Sequence, residues 1–293
     1  MKRRRIICAL LALLLPAVLR TAARGEGEPA CLNLDGQGLN YPAVKEILAG
    51  YSGLERVDMF DIPVDYRQAE ELENLYPGVE FGWTLKIGND HLVRTDATAF
   101  STLHLSGSET HTTKEISVLR YCKHLRALDF GHNGVDDISW LAELTDLRVL
   151  IIAVNRVSDI TPLAGLTRLE YLEIFNNRIT DISPLAGLTH LMDLNICWNR
   201  ITDYSPLYGM TGLKRLWIGN AGMEGGGVPA EVVARLQKNL PDCRIDWKSK
   251  PTLGGWREHE HYEVIHTMFA GSEYIPFSDS FPDFPADDEE DDL

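Results

Sequence analysis

Leucines recur every 22 residues through the middle of the chain, at Leu125, Leu147, Leu169, Leu191 and Leu213. Each opens the phrase LxxLxφ (φ apolar), completed by Leu128 and Phe130, Leu150 and Ile152, Leu172 and Ile174, Leu194 and Ile196, and Leu216 and Ile218. The alternation predicts a short strand with its leucines on one side and the intervening residues on the other. An asparagine follows at fixed register: Asn133, Asn155, Asn177 and Asn199. The fifth copy has Ala221 there, with Asn220 beside it. A buried asparagine carries both donor and acceptor, so these four are expected to satisfy turn groups of their own coil and the next.

The second half of each unit repeats as well. Asp159-Ile160-Thr161-Pro162-Leu163, Asp181-Ile182-Ser183-Pro184-Leu185 and Asp203-Tyr204-Ser205-Pro206-Leu207 are one phrase, and Asp137-Ile138-Ser139-Trp140-Leu141 is a fourth copy with Trp in the Pro position. A Ser or Thr cap followed by Pro predicts a short helix or 3₁₀ turn, ended at Gly165, Gly187 and Gly209. One such unit cannot bury its apolar face, so five in succession predict stacked coils. The fold class is therefore α/β: a solenoid with a parallel concave sheet, short helices or 3₁₀ turns on the convex side, and helix-backed repeats at both ends.

Longer repeats flank this array. Asn74 to Trp83 lines up with Lys238 to Trp247, and each segment follows an amphipathic helix, over 66–75 and 229–239. Cys243 falls where Val79 sits, which predicts a buried small hydrophobe. Leu32 and Leu34 match Val57 and Met59 at a spacing of 25, and Leu103 and Leu105 match Leu128 and Phe130 at the same spacing. A hairpin is expected at Gly88-Asn89-Asp90, followed by a joining coil to 124. The divisions expected are 1–23 as a signal peptide, 30–124 as helix-backed repeats and joining coil, and 125–223 as the regular array. Beyond these lie a capping repeat over 224–250, a helical extension over 251–275 and a disordered acidic tail over 276–293.

The phrase at 181–191 and its copies resemble the 22-residue internalin-type repeats of the leucine-rich repeat family, known from bacterial surface proteins. The resemblance is strong over 125–223, about a third of the chain. The whole arrangement, including 94–100 and Gly254-Gly255-Trp256-Arg257, is similar to uncharacterised leucine-rich repeat proteins of anaerobic gut Firmicutes. The resemblance implies a curved solenoid that binds another macromolecule on its concave strand face, and no activity beyond binding.

The termini change the picture of location. Lys2, Arg3, Arg4 and Arg5 precede an apolar stretch over 6–19 and then small residues, the order of a secretory signal, too short to span a bilayer comfortably. Cleavage after Ala23 or Gly25 fits, giving a secreted protein with no stable membrane span; retention as an uncleaved anchor is the alternative. Losing residues 1–23 removes five basic side chains and no acid, moving the net charge from −15 to −20. That balance excludes nucleic acid as the main partner, which needs clustered Lys and Arg. The cysteines are too sparse for a disulfide framework, and the state of Cys31, Cys122, Cys197 and Cys243 stays open.

The strand residues beside the inward leucines point to the concave face. Those singled out for binding are Asp129, Ile151, Tyr171, Glu173, Phe175, Asp193, Asn195, Trp198, Arg215 and Trp217. Aromatic and aliphatic side chains rimmed by charge have the composition of an interface centre, suited to a protein partner or a glycan. The alternative is that the C-terminal segment folds over this face and buries it. Glu258-His259-Glu260-His261 with Glu263 and His266 invites a metal reading, but Glu263 stands where HExxH needs its second histidine. A helix packing Trp256, Ile265, Met268 and Phe269 against the solenoid end is the simpler expectation. The sequence has no nucleophile elbow, P-loop, GxGxxG or paired Cys/His motif, so neither catalysis nor a cofactor is expected. A non-enzymatic exported binding module leads; an intracellular regulatory scaffold follows if 1–23 is not an export signal. Oligomeric state and ligand identity stay open.

Overall fold

The computed structural model describes residues 30–102, 110–220 and 227–279. The expected signal over 1–23, Leu103 and Leu105, and the acidic run near the C-terminus lie outside the described residues. The chain divides into two compact units, one comprising 1–97 with 107–124, the other 98–106 with 125–293.

In the first unit β1 (Cys31–Asn33), β2 (Arg56–Val64) and β3 (Glu80–Ile87) pair in parallel, and β4 (His91–Arg94) joins β3 antiparallel. Helices α1 (Tyr41–Leu48) and α2 (Tyr66–Leu75) connect the parallel strands. Both start from side-chain caps. Asn40 accepts from Ala43 N, and Asp65 and Gln68 form a reciprocal capping box. Leu32 pairs with Val57, the 25-residue spacing read as register. The turn between β3 and β4 falls at Gly88-Asn89-Asp90, where Gly88 takes φ +58°. Helix α3 (Thr113–Ile116) and a 3₁₀ turn, η1 (Ser117–Tyr121), complete this unit.

The second unit is the solenoid. Among the described residues its sheet has seven parallel strands in sequence order: β5 (Ala99–Ser101), β6 (Ala127–Asp129), β7 (Val149–Ile151), β8 (Tyr171–Glu173), β9 (Asp193–Asn195), β10 (Arg215–Trp217) and β11 (Arg244–Asp246). From β6 to β10 the register advances by 22 residues per coil, with Leu128, Leu150, Leu172, Leu194 and Leu216 aligned and buried. The 3₁₀ turns η2 (Ser139–Glu143), η3 (Thr161–Gly165), η4 (Ser183–Leu185) and η5 (Ser205–Gly209) form the opposite side of each coil. Helix α4 (Ala230–Asn239) packs on η5, and β11 continues the sheet.

The asparagines form a ladder. Asn177 Nδ2 donates to the carbonyls of Ile152, Ile174 and Phe175, and its Oδ1 accepts from Val157 N at 3.0 Å. Asn155 and Asn199 repeat this one coil earlier and later, and Asn133 reaches Thr102 Oγ1 at the start. Just before each ladder residue the chain turns through a left-handed conformation at His132, Val154, Asn176 and Trp198. Val154, β-branched at φ +58°, is the most strained of the four.

Three expectations are corrected. The joining coil to 124 is not continuous coil: 99–101 is strand β5, and Phe100 pairs with Leu128 at a spacing of 28. The turn caps are not Ser or Thr side chains. Asp137, Asp159, Asp181 and Asp203 instead accept from the backbone N–H two residues on, each at 2.8 Å, and the Ser or Thr is the first residue of the turn. Cys243 is half-buried rather than buried. Among the described residues no disulfide joins the cysteines, and no helix is long and apolar enough to cross a membrane.

Candidate binding face

Strand alternation places Ala127, Val149, Tyr171, Asp193 and Arg215, and two residues on Asp129, Ile151, Glu173, Asn195 and Trp217, on one side of the solenoid sheet. That side does not face solvent. Residues 251–279 run across it, and helix α5 (Glu260–Gly271) lies in this arm. Trp256, Ile265, Met268, Phe269 and Phe277 form one buried cluster with Ala127, Val149, Ile151, Tyr171, Phe175 and Trp217. The expected solvent-facing patch is therefore corrected, and the alternative holds: the C-terminal segment covers this face. Asp129, Ile151, Tyr171, Glu173, Phe175, Asp193, Asn195, Arg215 and Trp217 are buried, and Trp198 is half-buried at the edge of the same cluster. The physical reason is the one that made these residues conspicuous: an apolar strand face is stable only when something removes it from water. The C-terminal helix packs on the face of the sheet and not on the solenoid end. The order expected to stop at 275 also extends further, since Phe277 is buried and Asp279 is bonded.

The arm is held through both its rings and its backbone. The Trp256 ring lies 5.1 Å from Trp217 and 5.5 Å from Tyr171, with the Arg215 guanidinium 4.6 Å from its centroid. Its indole N–H donates to Glu173 Oε1 at 2.8 Å, and Tyr171 OH donates to the same oxygen. Three sheet side chains donate to main-chain carbonyls of the arm: Asn195 Nδ2 to Pro251 O at 2.7 Å, Trp217 Nε1 to Leu253 O at 3.0 Å, and Arg215 Nη1 to Trp256 O at 3.0 Å. Each buried apolar anchor contributes about 1.5–3 kcal/mol gross, before the entropy of ordering the arm.

The buried carboxyls divide into two kinds. Burial pushes Asp129 up to about 7, against the opposing hydrogen bonds from Gly131 N and Ser101 Oγ. Glu173 is likewise raised by burial, in spite of Trp256 and Tyr171. Burial would raise Asp193 too, but hydrogen bonds from His261 and Arg215 outweigh it and hold the carboxyl below its usual range. Arg215 Nε and Nη2 each reach Asp193 at 2.7 Å, and His261 Nδ1 lies 2.5 Å from Asp193 Oδ2. Between β6, β7 and α5 a cavity of about 310 Å³ remains, lined by Asp129, His132, Ile151, Arg257, Tyr262 and Phe269 among others.

Asp193, His259 and His261 present ligating-type atoms within 4.8 Å of one another. The chemistry there is that of an ion-pair cluster: Asp193 is chelated by a guanidinium, and both His261 nitrogens already face carboxylate oxygens. Sequence reasoning did not place Trp256, His261 and Phe277 on this face. Trp256 was expected against the solenoid end and Phe277 in the acidic tail, so neither was read as a partner of this face.

Residues 145–187 match the family model for two copies of leucine-rich repeats. Among solved structures the chain is similar to internalin C2 of Listeria monocytogenes, with 23% identity, TM-score 0.42, and coverage of 74% of this chain and 80% of that one. Internalin F of the same organism gives 22% identity and TM-score 0.43 over 69% and 70% of the two chains. A leucine-rich repeat protein of Leptospira interrogans gives 17% and 0.42 over 69% and 57%. No curated protein matches the chain.

Proposed function

We propose that this leucine-rich repeat solenoid is a non-enzymatic, exported protein-binding module whose concave face takes a peptide segment, and that residues 251–279 occupy the face until a partner replaces them. The repeats supply an interaction scaffold, and one observation carries the rest: Asn195, Arg215 and Trp217 donate to the main-chain carbonyls of Pro251, Leu253 and Trp256. Donors aimed at carbonyls recognise a backbone whatever its sequence, while the Tyr171 and Trp217 rings select an aromatic side chain between them. Export rests on the basic and apolar pattern of residues 1–19.

The test uses the full chain with a specific protease site inserted after Lys250, an exposed position. After cleavage, a fluorescent synthetic peptide of residues 251–279 is titrated and its anisotropy followed. Saturable exchange into the nicked protein, weakened at least tenfold by Arg215→Gln, supports the reading. A peptide that never enters, although the nicked arm can be washed off, places any partner elsewhere on the solenoid and overturns it.

A further inference from the structure

His261, near the start of α5, is 2% exposed and has a carboxylate at each ring nitrogen. Nδ1 is 2.5 Å from Asp193 Oδ2 on β9, and Nε2 is 2.8 Å from Asp279 Oδ1 at the far end of the arm. A neutral imidazole has one N–H and one lone pair, so only the imidazolium donates to both oxygens. The charges around it are few. Arg215 on β10 neutralises Asp193 by two hydrogen bonds, leaving His261 to balance Asp279. The His259 ring stands edge-on at 4.4 Å, Glu260 begins the helix, and the Phe277 ring stacks on His261 at 4.2 Å. The His259 pKa is lowered by burial, then by the Arg215 and His261 charges. The closed cluster is thus electrically balanced with His261 protonated. Without that proton it carries one negative charge in excess, and one carboxylate then faces a lone pair.

We propose that His261 is a proton-operated latch: its imidazolium joins β9 to the end of the C-terminal arm and keeps the concave face closed, and loss of the proton favours opening. This regulation rests on the reading of that face as the docking surface. The direction follows from the site. Burial lowers the His261 pKa, but the hydrogen bond and charge of Asp193, then those of Asp279, more than reverse this and leave it raised. A group raised in the closed state stabilises closure fully below its open-state value of about 6.5, and that contribution is lost as pH rises through the closed-state value. Within that window the closing equilibrium falls by up to about tenfold per pH unit. The apolar anchors are indifferent to pH, so the latch sets how often the arm lifts and not whether the arm can pack.

The experiment measures amide hydrogen exchange of α5 in the full chain from pH 5.5 to 9, corrected for the intrinsic pH dependence of exchange, beside ¹⁵N titration of the histidine rings. Wild type should open progressively more above pH 6.5. His261→Gln, which keeps an N–H donor but takes no charge, should reduce the slope to what the buried Asp129 carboxyl contributes. Asp279→Asn, a change on the exposed side of the cluster, should lower the His261 pKa and narrow the window. A corrected α5 opening that is equal at pH 6 and pH 9, or a slope that His261→Gln leaves unchanged, overturns the latch. Because neither readout uses a partner, a latch that titrates in a protein that refuses the exchange peptide refutes the docking surface alone. Peptide exchange with no pH slope refutes the latch alone.

Discussion

Trp256 donates its indole N–H to the Glu173 carboxylate at 2.8 Å, across 83 residues of chain, and both groups are buried. This bond ties the arm to the middle strand of the concave sheet. Replacing Trp256 by Ala removes the largest ring of the arm and leaves Glu173 with one donor fewer in an apolar setting. The expected cost is about 3–5 kcal/mol. Chemical denaturation should report it, together with new binding of a hydrophobic dye to the uncovered face. An unchanged midpoint and no dye signal would mean that the ring does not seal the sheet.

The asparagine ladder makes a second prediction. Asn177→Ala strands the N–H of Val157 and removes the shared donor from Ile152, Ile174 and Phe175, all buried in mid-solenoid. A loss of about 3 kcal/mol is expected, larger than for Asn133→Ala, because Asn133 serves the first coil of the regular array. Urea midpoints of the two variants decide the order.

Asp181→Ala should cost about 1 kcal/mol, since its carboxylate accepts from Ser183 N at 2.8 Å and starts the turn η4. Ser183→Ala should cost less, because the serine hydroxyl only donates back to Asp181. The reverse order would return the capping role to the serine.

Asp129 gives a pH dependence of opposite origin to that of His261. Its carboxyl is pushed up to about 7 by burial, so the folded state holds a proton that the unfolded chain releases near 3.9. Stability from this residue is greatest below about pH 4 and falls as pH rises towards 7. Asp129→Asn should therefore stabilise the protein at pH 8, by on the order of 2 kcal/mol, and have little effect at pH 4. Thermal melts of both proteins at the two pH values check this.

The repeats, the strand register from Leu128 to Leu216 and the pairing of Leu32 with Val57 are legible in the sequence, because each rests on local periodicity that stacking converts directly into pairing. Strand β5 was misread because its spacing to β6 is 28 rather than 25, a shift that no repeated phrase marks. Alternation also assigned Tyr171, Asp193 and Trp217 to the correct side of the sheet without showing what lies over them. That depends on Pro251 meeting Asn195 and on His261 meeting Asp193, pairings 56 and 68 residues apart between segments with no common period. The sequence did contain the warning, in that Val149, Ile151 and Tyr171 are poor residues for a strand face in water.

The account stands on the concave face being closed by the chain's own residues 251–279. Hydroxyl-radical footprinting of the intact protein at pH 6 tests this directly, with exposed Leu92 as the reference for free access. Tyr171, Trp217 and Trp256 should be protected together, and should become reactive together once the arm is cut at 250 and removed. Modification of Tyr171 and Trp217 in the intact chain at the rate of Leu92 would contradict it.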